Sequence, residues 1–186
     1  MCQTDVFVFD DRLDYWCDQG YDSIGAPWLA STQTASHRLL LEINNAFRKN
    51  TSKKSNAHYF RVGNGGFSLR NTKAMLRAVA RRQQHMADTS SPTQAHPKHL
   101  HIEDLYFSLV APTLVDMKIP DYREAVDFCL DRRPKLGLKL NRGKLPFACH
   151  RCFDPKAIKL WQPFIQACRE PYKFSARHPR MPSAGF

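Results

Sequence analysis

The apolar and polar positions change period several times along the chain, and the changes predict where strands give way to helices. Val6-Phe7-Val8-Phe9 is an unbroken β-branched and aromatic run, which predicts a buried strand close to Met1. A central strand normally has earlier elements to pack beside, so the chain is expected to open in mid-fold. Asp10 to Gln19 predicts a short helix or turn closed by Gly20, and Tyr21 to Trp28 reads as a loop punctuated by Gly25 and Pro27. Leucines, Ile43 and Phe47 recur at helical spacing between His37 and Lys49, ahead of a polar stretch over 49–56 that is expected to be exposed.

Tyr59-Phe60-Arg61-Val62 and Phe67-Ser68-Leu69-Arg70 read as strand-like pieces flanking Gly63-Asn64-Gly65-Gly66. Asn71-Thr72 offers capping chemistry for a helix to about Ala87, with Met75, Leu76, Val79 and Ala80 expected on its apolar face. Residues 88–98 form a Ser-, Thr-, Pro- and His-rich linker, and Ile102 to Leu109 predicts a short amphipathic helix. Tyr122 to Arg132 predicts a helix bounded by Pro120 and Pro134, and Leu136 to Leu140 a strand. A last helix is expected from Asp154-Pro155 through Cys168, with proline in the first turn. The pattern divides the chain into a domain over 1–170 and a disordered basic tail over 171–186, where Pro, Arg and Ser leave little to bury. There are no internal repeats.

Composition narrows the class without naming it. The 186 residues suit one domain, and 42 % hydrophobic with 24 % charged residues is ordinary globular usage. There is no apolar run long enough to span a bilayer, and the acidic start lacks the basic region of a signal peptide, so a cytoplasmic location is the default expectation. Six scattered cysteines fit reduced thiols better than a disulfide framework. Charge is unevenly spread. Residues 1–28 hold six Asp and one Arg, whereas the rest carry 27 Lys+Arg against 11 Asp+Glu, within a net +11. A basic body suits nucleic acid, a membrane surface or a phosphate-bearing small molecule, and a solvated surface explains it equally.

Four places carry candidate chemistry. Three glycines in the four residues Gly63-Asn64-Gly65-Gly66 suit a sharp turn or the close approach of a ligand, and no Walker or dinucleotide pattern accompanies them. Asp5 stands immediately before an apolar strand, where α/β folds place ligands and metal ions, although a strand-end cap would look the same. Glu103-Asp104 opens a helix. It either complements the helix dipole or supplies a general base. Cys149-His150-Arg151-Cys152 gives only two thiol ligands, and His96, His99 and His101 lie in or beside a polar loop, so a structural zinc site and a redox pair are both disfavoured.

Taken in order, Gln3-Thr4-Asp5, Tyr21-Asp22-Ser23-Ile24-Gly25-Ala26-Pro27-Trp28, Gly63-Asn64-Gly65-Gly66-Phe67-Ser68-Leu69-Arg70, Glu103-Asp104 and the late His150 resemble one family. It is an uncharacterised glycosyltransferase-like domain family, a domain of unknown function related to the GT-A glycosyltransferases. The resemblance runs from about Gln3 to Cys152, with Ile24–Trp28 and Val62–Arg70 its most specific parts. It implies an α/β, GT-A-like (Rossmann-like) mixed sheet flanked by helices. It also implies that a divalent cation, Mn²⁺ or Mg²⁺, is held by Asp5 and His150. By the same resemblance Gly63, Asn64, Gly65 and Gly66 shape the donor and acceptor pocket, and Asp104, paired with Glu103, takes the proton of the acceptor hydroxyl. Trp28 would stack on a sugar face, though a core tryptophan fits as well.

The implied activity is inverting transfer of a sugar from a nucleotide-sugar donor to a hydroxyl acceptor. In GT-A enzymes a nucleotide-binding half precedes the acidic motif, and here only Met1 and Cys2 do, so the resemblance implies an N-terminally truncated domain. Two other readings stand beside it. One is a non-catalytic remnant. The other is a basic nucleic-acid-binding module built on Arg77, Arg81 and Arg82, which no recognised binding motif accompanies.

Overall fold

The computed structural model describes residues 1–30, 58–87 and 97–169. The predicted helix over 37–49, the polar stretch over 49–56, most of the 88–98 linker with His96, and the 171–186 tail lie outside the described residues. What is described is a mixed α/β arrangement of two small open sheets flanked by helices. Strands β1 (Val6–Val8), β5 (Ala148–His150) and β4 (Cys129–Leu130) form one sheet in that spatial order. Strands β2 (Ser23–Pro27) and β3 (Val62–Arg70) form a separate antiparallel ribbon.

Several expectations are corrected by burial. The run Val6-Phe7-Val8 is a strand, yet it lies on the sheet edge, and Val8 is 42 % exposed. Ser23–Pro27, read as a loop, is a strand buried at every position. A strand covered on both faces reads as continuous burial without alternation, and the Pro at its end does not interrupt it. Residues 62–70 form one strand containing the glycines, where a turn between two strands was expected.

The predicted Tyr122–Arg132 helix stops at Phe128. Phe128, Cys129, Leu130 and Asp131 are all buried, which one face of a helix cannot achieve and a short two-sided strand can. Left-handed Arg133 then redirects the chain into a helix over Pro134–Leu140, where a strand was expected. Gly137 lets that helix approach β4, since a Cβ there would lie 2.3 Å from Leu130.

The helix over Thr72–Ala87 begins where the capping chemistry predicts. Asn71 Oδ1 accepts from the backbone of Lys73 at 3.0 Å and of Ala74 at 3.3 Å. Its buried stripe, however, is Ala74 and Ala78, whereas Leu76 is 65 % exposed and Val79 40 %. The small residues let the helix lie close to the segment after Glu103, where the Tyr106 hydroxyl donates to the Ala78 carbonyl at 2.5 Å. Arg82 belongs to the same contact: its Nε donates to the Leu100 carbonyl and its guanidinium lies over the Tyr106 ring. The last helix runs Ile158–Arg169, one turn later than expected, because Asp154 to Ala157 form turns fixed by Asp154.

The two sheets are welded by aromatic rings. Phe128 sits T-shaped to Trp16 at 5.3 Å, stacked on Phe67 at 5.2 Å and tilted to Phe147 at 5.8 Å. It thus joins the helix over Leu13–Asp18, the ribbon and the three-stranded sheet at one fully buried point. Phe128→Ala is expected to cost about 3–5 kcal/mol of folding stability, the range for emptying a large aromatic site. Urea unfolding with an unchanged slope would measure it.

Candidate active site

Strand register brings three side chains to one end of the three-stranded sheet. In the antiparallel β1–β5 pair Val6 faces His150, which sets Asp5, the residue before β1, beside the end of β5. In the parallel β4–β5 pair Leu130 faces Cys149, so Asp131 emerges beside His150. Asp5 and Asp131 therefore flank the imidazole from opposite sides. The His150 Nε2 lies 3.3 Å from Asp5 Oδ1 and 2.9 Å from Gln3 Oε1, while Nδ1 lies 3.7 Å from Asp131 Oδ1. The carboxyl ends of strands are where open α/β sheets generally hold their ligands.

The glycine segment closes over this end. One step along β2, from Gly25 to Ala26, is matched by a step from Ser68 back to Asn64 on β3, so Gly65, Gly66 and Phe67 form a bulge. The backbone of Met1 to Gln3 pairs alongside it, with the Gln3 N–H donating to the Gly66 carbonyl. A Cβ on Gly66 would lie 2.1 Å from the His150 ring, and one on Gly65 would lie 2.4 Å from Asp104 Oδ1. Asn64 ties the bulge down: its Oδ1 accepts from the Gly66 N–H at 3.0 Å, and its Nδ2 donates to Asp131 Oδ2 at 2.7 Å. Gly63 serves packing. It has φ +154°, and a Cβ there would overlap Ser108 Oγ, which donates to the Val62 carbonyl.

The Glu103-Asp104 pair starts a continuous helical segment, Glu103–Leu105, a π-helical turn Tyr106–Val110, and Ala111–Leu114. Arg70, at the end of β3, holds the pair. Its Nη1 ion-pairs with Glu103, its Nη2 lies 3.8 Å from Asp104 Oδ1, and its guanidinium covers the Phe107 ring. The Gly65 N–H donates to the Asp104 carboxylate. Burial pushes the Asp104 carboxyl above its ordinary value, and Glu103 adds to this, while Gly65, Arg70 and His150 pull the other way. Burial likewise raises Asp131, against the pull of His150, Arg151 and Arg132.

Whether these residues suit a cation is a question of donor chemistry. Asp5 Oδ1 and Gln3 Oε1 both face His150 Nε2, and the Asp5 side chain is 43 % exposed. A carboxylate, an amide oxygen and an imidazole with an open side fit Mn²⁺ or Mg²⁺. On the far side of the ring, His150 Nδ1 and Asp131 Oδ1 are buried and have no other hydrogen-bond partner among the described residues. Among those residues no three of His, Cys, Asp and Glu are grouped as metal ligands, and Asp131 stands at the opposite ring nitrogen from Asp5. The cysteines play a different part. Cys149 and Cys152 are fully buried, burial pushes both thiols up, and the Cys152 N–H and S–H both point to the Asp5 carbonyl at 3.3 and 3.4 Å.

The structure therefore gathers Asp5, Asn64, Gly65, Gly66, Glu103, Asp104 and His150 around the bulge. Gly63 faces the π-helical turn. Trp28 is half-buried, with its ring edge-on to His58 at 5.8 Å and its backbone paired with Phe60 and Arg61 ahead of β3. Asp131, Arg70 and Gln3 join the cluster without having been singled out as site residues by the sequence. The one available sign for Asp131 is that the apolar pair Cys129-Leu130 ends on an acidic residue, as a strand entering a site would.

The chain belongs to a family described as "Protein of unknown function (DUF5672)", whose model matches residues 1–150. That span contains every residue of the cluster. No curated protein and no solved structure matches the chain. Among the described residues no helix is long and apolar enough to cross a membrane.

Gly66→Ala should be poorly tolerated, because the new methyl group meets the buried imidazole and not a flexible side-chain end. A loss of about 1–3 kcal/mol is expected, as for overpacking elsewhere. Gly143→Ala, with φ +75° and nothing within 4 Å, carries backbone strain alone and provides the comparison in parallel denaturant unfolding.

Proposed function

We propose that this chain is a partial GT-A-like glycosyltransferase domain carrying the base and cation seat for inverting transfer of a sugar from a nucleotide-sugar donor to a hydroxyl acceptor. The observation that carries the reading is the meeting of Asp104 and His150 on consecutive residues of one glycine bulge, Gly65 and Gly66, with Asp5 beside the histidine. These residues lie far apart in the chain, and they are those that the resemblance to GT-A enzymes picks out.

In this reading Asp5, Gln3 and His150 hold a divalent cation, which when bound offsets the charge of a diphosphate leaving group. Asp104 accepts the proton of the acceptor hydroxyl. The hydroxyl oxygen forms the new bond to the anomeric carbon, and the bond from that carbon to the diphosphate oxygen breaks, the electron pair leaving with the diphosphate. A base works best when its pKa approaches the working pH, and burial has moved Asp104 in that direction. Arg70 fixes the Glu103-Asp104 pair, and Gly65 and Gly66 keep side chains out of the space between base and cation seat.

The test is release of nucleoside diphosphate from a panel of nucleotide sugars with Mn²⁺ and candidate hydroxyl acceptors. Asp104→Asn is expected to lower turnover by about 10²–10⁴-fold, the share a positioned base supplies. Undiminished turnover in that variant would overturn the base assignment. Because Asp104 must be ionised to accept a proton, activity should rise with pH along an acid limb whose midpoint lies above the ~3.9 of a free aspartate. An initial-rate profile against pH reads that midpoint.

A further inference from the structure

The polarity of the hydrogen bonds around Asp131 extends the cation-seat reading, on which the following rests. We infer that Asp131 is a positioning residue: through Asn64 it fixes which nitrogen of His150 carries the proton, so that Nε2 is free to bind a cation beside Asp5.

With the Asp131 carboxylate ionised, each link in the chain of donors has one workable direction. The Gly66 backbone N–H can only donate, and it donates to Asn64 Oδ1 at 3.0 Å. The Asn64 amide is thereby oriented with Nδ2 outward, and it donates to Asp131 Oδ2 at 2.7 Å. The second carboxylate oxygen, Oδ1, faces His150 Nδ1 at 3.7 Å. Both of these atoms are buried and, among the described residues, have no hydrogen-bond partner. If Nδ1 carried no proton, two lone pairs would face each other in a buried space where the Asp131 side chain is 3 % exposed. A proton on Nδ1 resolves this, because a small approach of the ring then makes an N–H···O bond.

At the other nitrogen the facing carboxylate is closer, 3.3 Å, but solvent relieves the repulsion. Nε2 faces Gln3, whose amide can present either end, and Asp5, whose carboxylate is 43 % exposed and open to water. The proton therefore belongs on the buried side, and the lone pair of Nε2 points at the Asp5–Gln3 opening. A carboxylate behind a metal-binding imidazole commonly plays this part, and its removal typically weakens binding by about 10–100-fold.

The same polarity argument makes a test in which a second substitution should undo the first. In Asp131→Asn the new amide must offer its oxygen to Asn64 Nδ2, which leaves its NH₂ facing His150 Nδ1. Two donors cannot oppose each other, so the imidazole proton is driven to Nε2. In the double variant Asn64→Asp, Asp131→Asn, the carboxylate at position 64 accepts from both Gly66 and the amide at position 131. The amide oxygen then faces Nδ1 and restores the proton there. The double variant also keeps the native net charge.

Two readouts are taken on the full chain. The first is ¹⁵N NMR of the metal-free protein at alkaline pH, with the ring neutral, which assigns the protonated nitrogen of His150. The second is Mn²⁺ binding followed by loss of the free-ion electron paramagnetic resonance signal. The expected result is Nδ1–H in the native chain, Nε2–H in Asp131→Asn and Nδ1–H again in the double variant, with Mn²⁺ affinity falling about 10–100-fold and then recovering. An unchanged tautomer in Asp131→Asn, or no restoration in the double variant, overturns the assignment. If the tautomers follow the expected order and the native chain binds no Mn²⁺, the cation seat is wrong and the control of His150 by Asp131 stands.

Discussion

A nearly buried imidazole with a carboxylate at each ring nitrogen is an expensive arrangement, and the rest of the site depends on how the chain supports it. His150 is only 7 % exposed. Gly66 presses on the ring where any side chain would overlap it, and the sheet encloses the Asp131 side. What supports the arrangement is backbone that fixes two of its neighbours. Asn64 is aimed by the Gly66 N–H, and Asp5 is held through its carbonyl by Cys152. A buried polar network stabilises only when its members are all satisfied. At the ring itself, among the described residues, the incomplete link is the pair His150 Nδ1 and Asp131 Oδ1, on the side away from Asp5.

The glycines divide the work around this centre. Gly66 admits the imidazole, Gly65 admits the Asp104 carboxylate and donates its N–H to it, and Gly63 admits the Ser108 hydroxyl. The bulge is thus less a flexible loop than a set of contact points, one for each element that must approach the ribbon. Arg70 completes it from the other end of β3 by holding Glu103 and Asp104 together. The Cys-x-x-Cys acts in the same sense. Its protonated, buried thiols are packing and hydrogen-bonding groups that seat the strand end carrying Asp5.

The residues legible in the sequence were those whose type and spacing are themselves unusual: three glycines in four, an acidic residue against an apolar run, an acidic pair opening a helix, a histidine within a Cys-x-x-Cys. Asp131 lacked any such mark. The strand that delivers it is two residues long, too short for a period, and it follows a helical pattern that the sequence alone extends to Arg132. Arg70 looked like an ordinary strand-end cation. Its role comes from Glu103 and Asp104, thirty-odd positions away, and no local pattern encodes that meeting. The same limit explains the phase error in the helix over Thr72–Ala87: leucine and valine are the apolar residues by composition, but the close neighbour at Tyr106 has room only for alanine. The assignment of Ser23–Pro27 to a loop failed because Gly and Pro were read as punctuation, when both faces of that segment are covered.

The pairing of Val6 with His150 has a consequence for how the protein comes into being. Gln3 and His150 touch across 147 positions, so the side chains of the site cannot meet until the chain through His150 has left the ribosome. Until then β1 has no partner among the described strands of its sheet, and Asp5 waits beside an unpaired edge. Contacts so remote in sequence carry a large loop-closure cost and tend to form late. The side chains around His150 therefore come together late in folding.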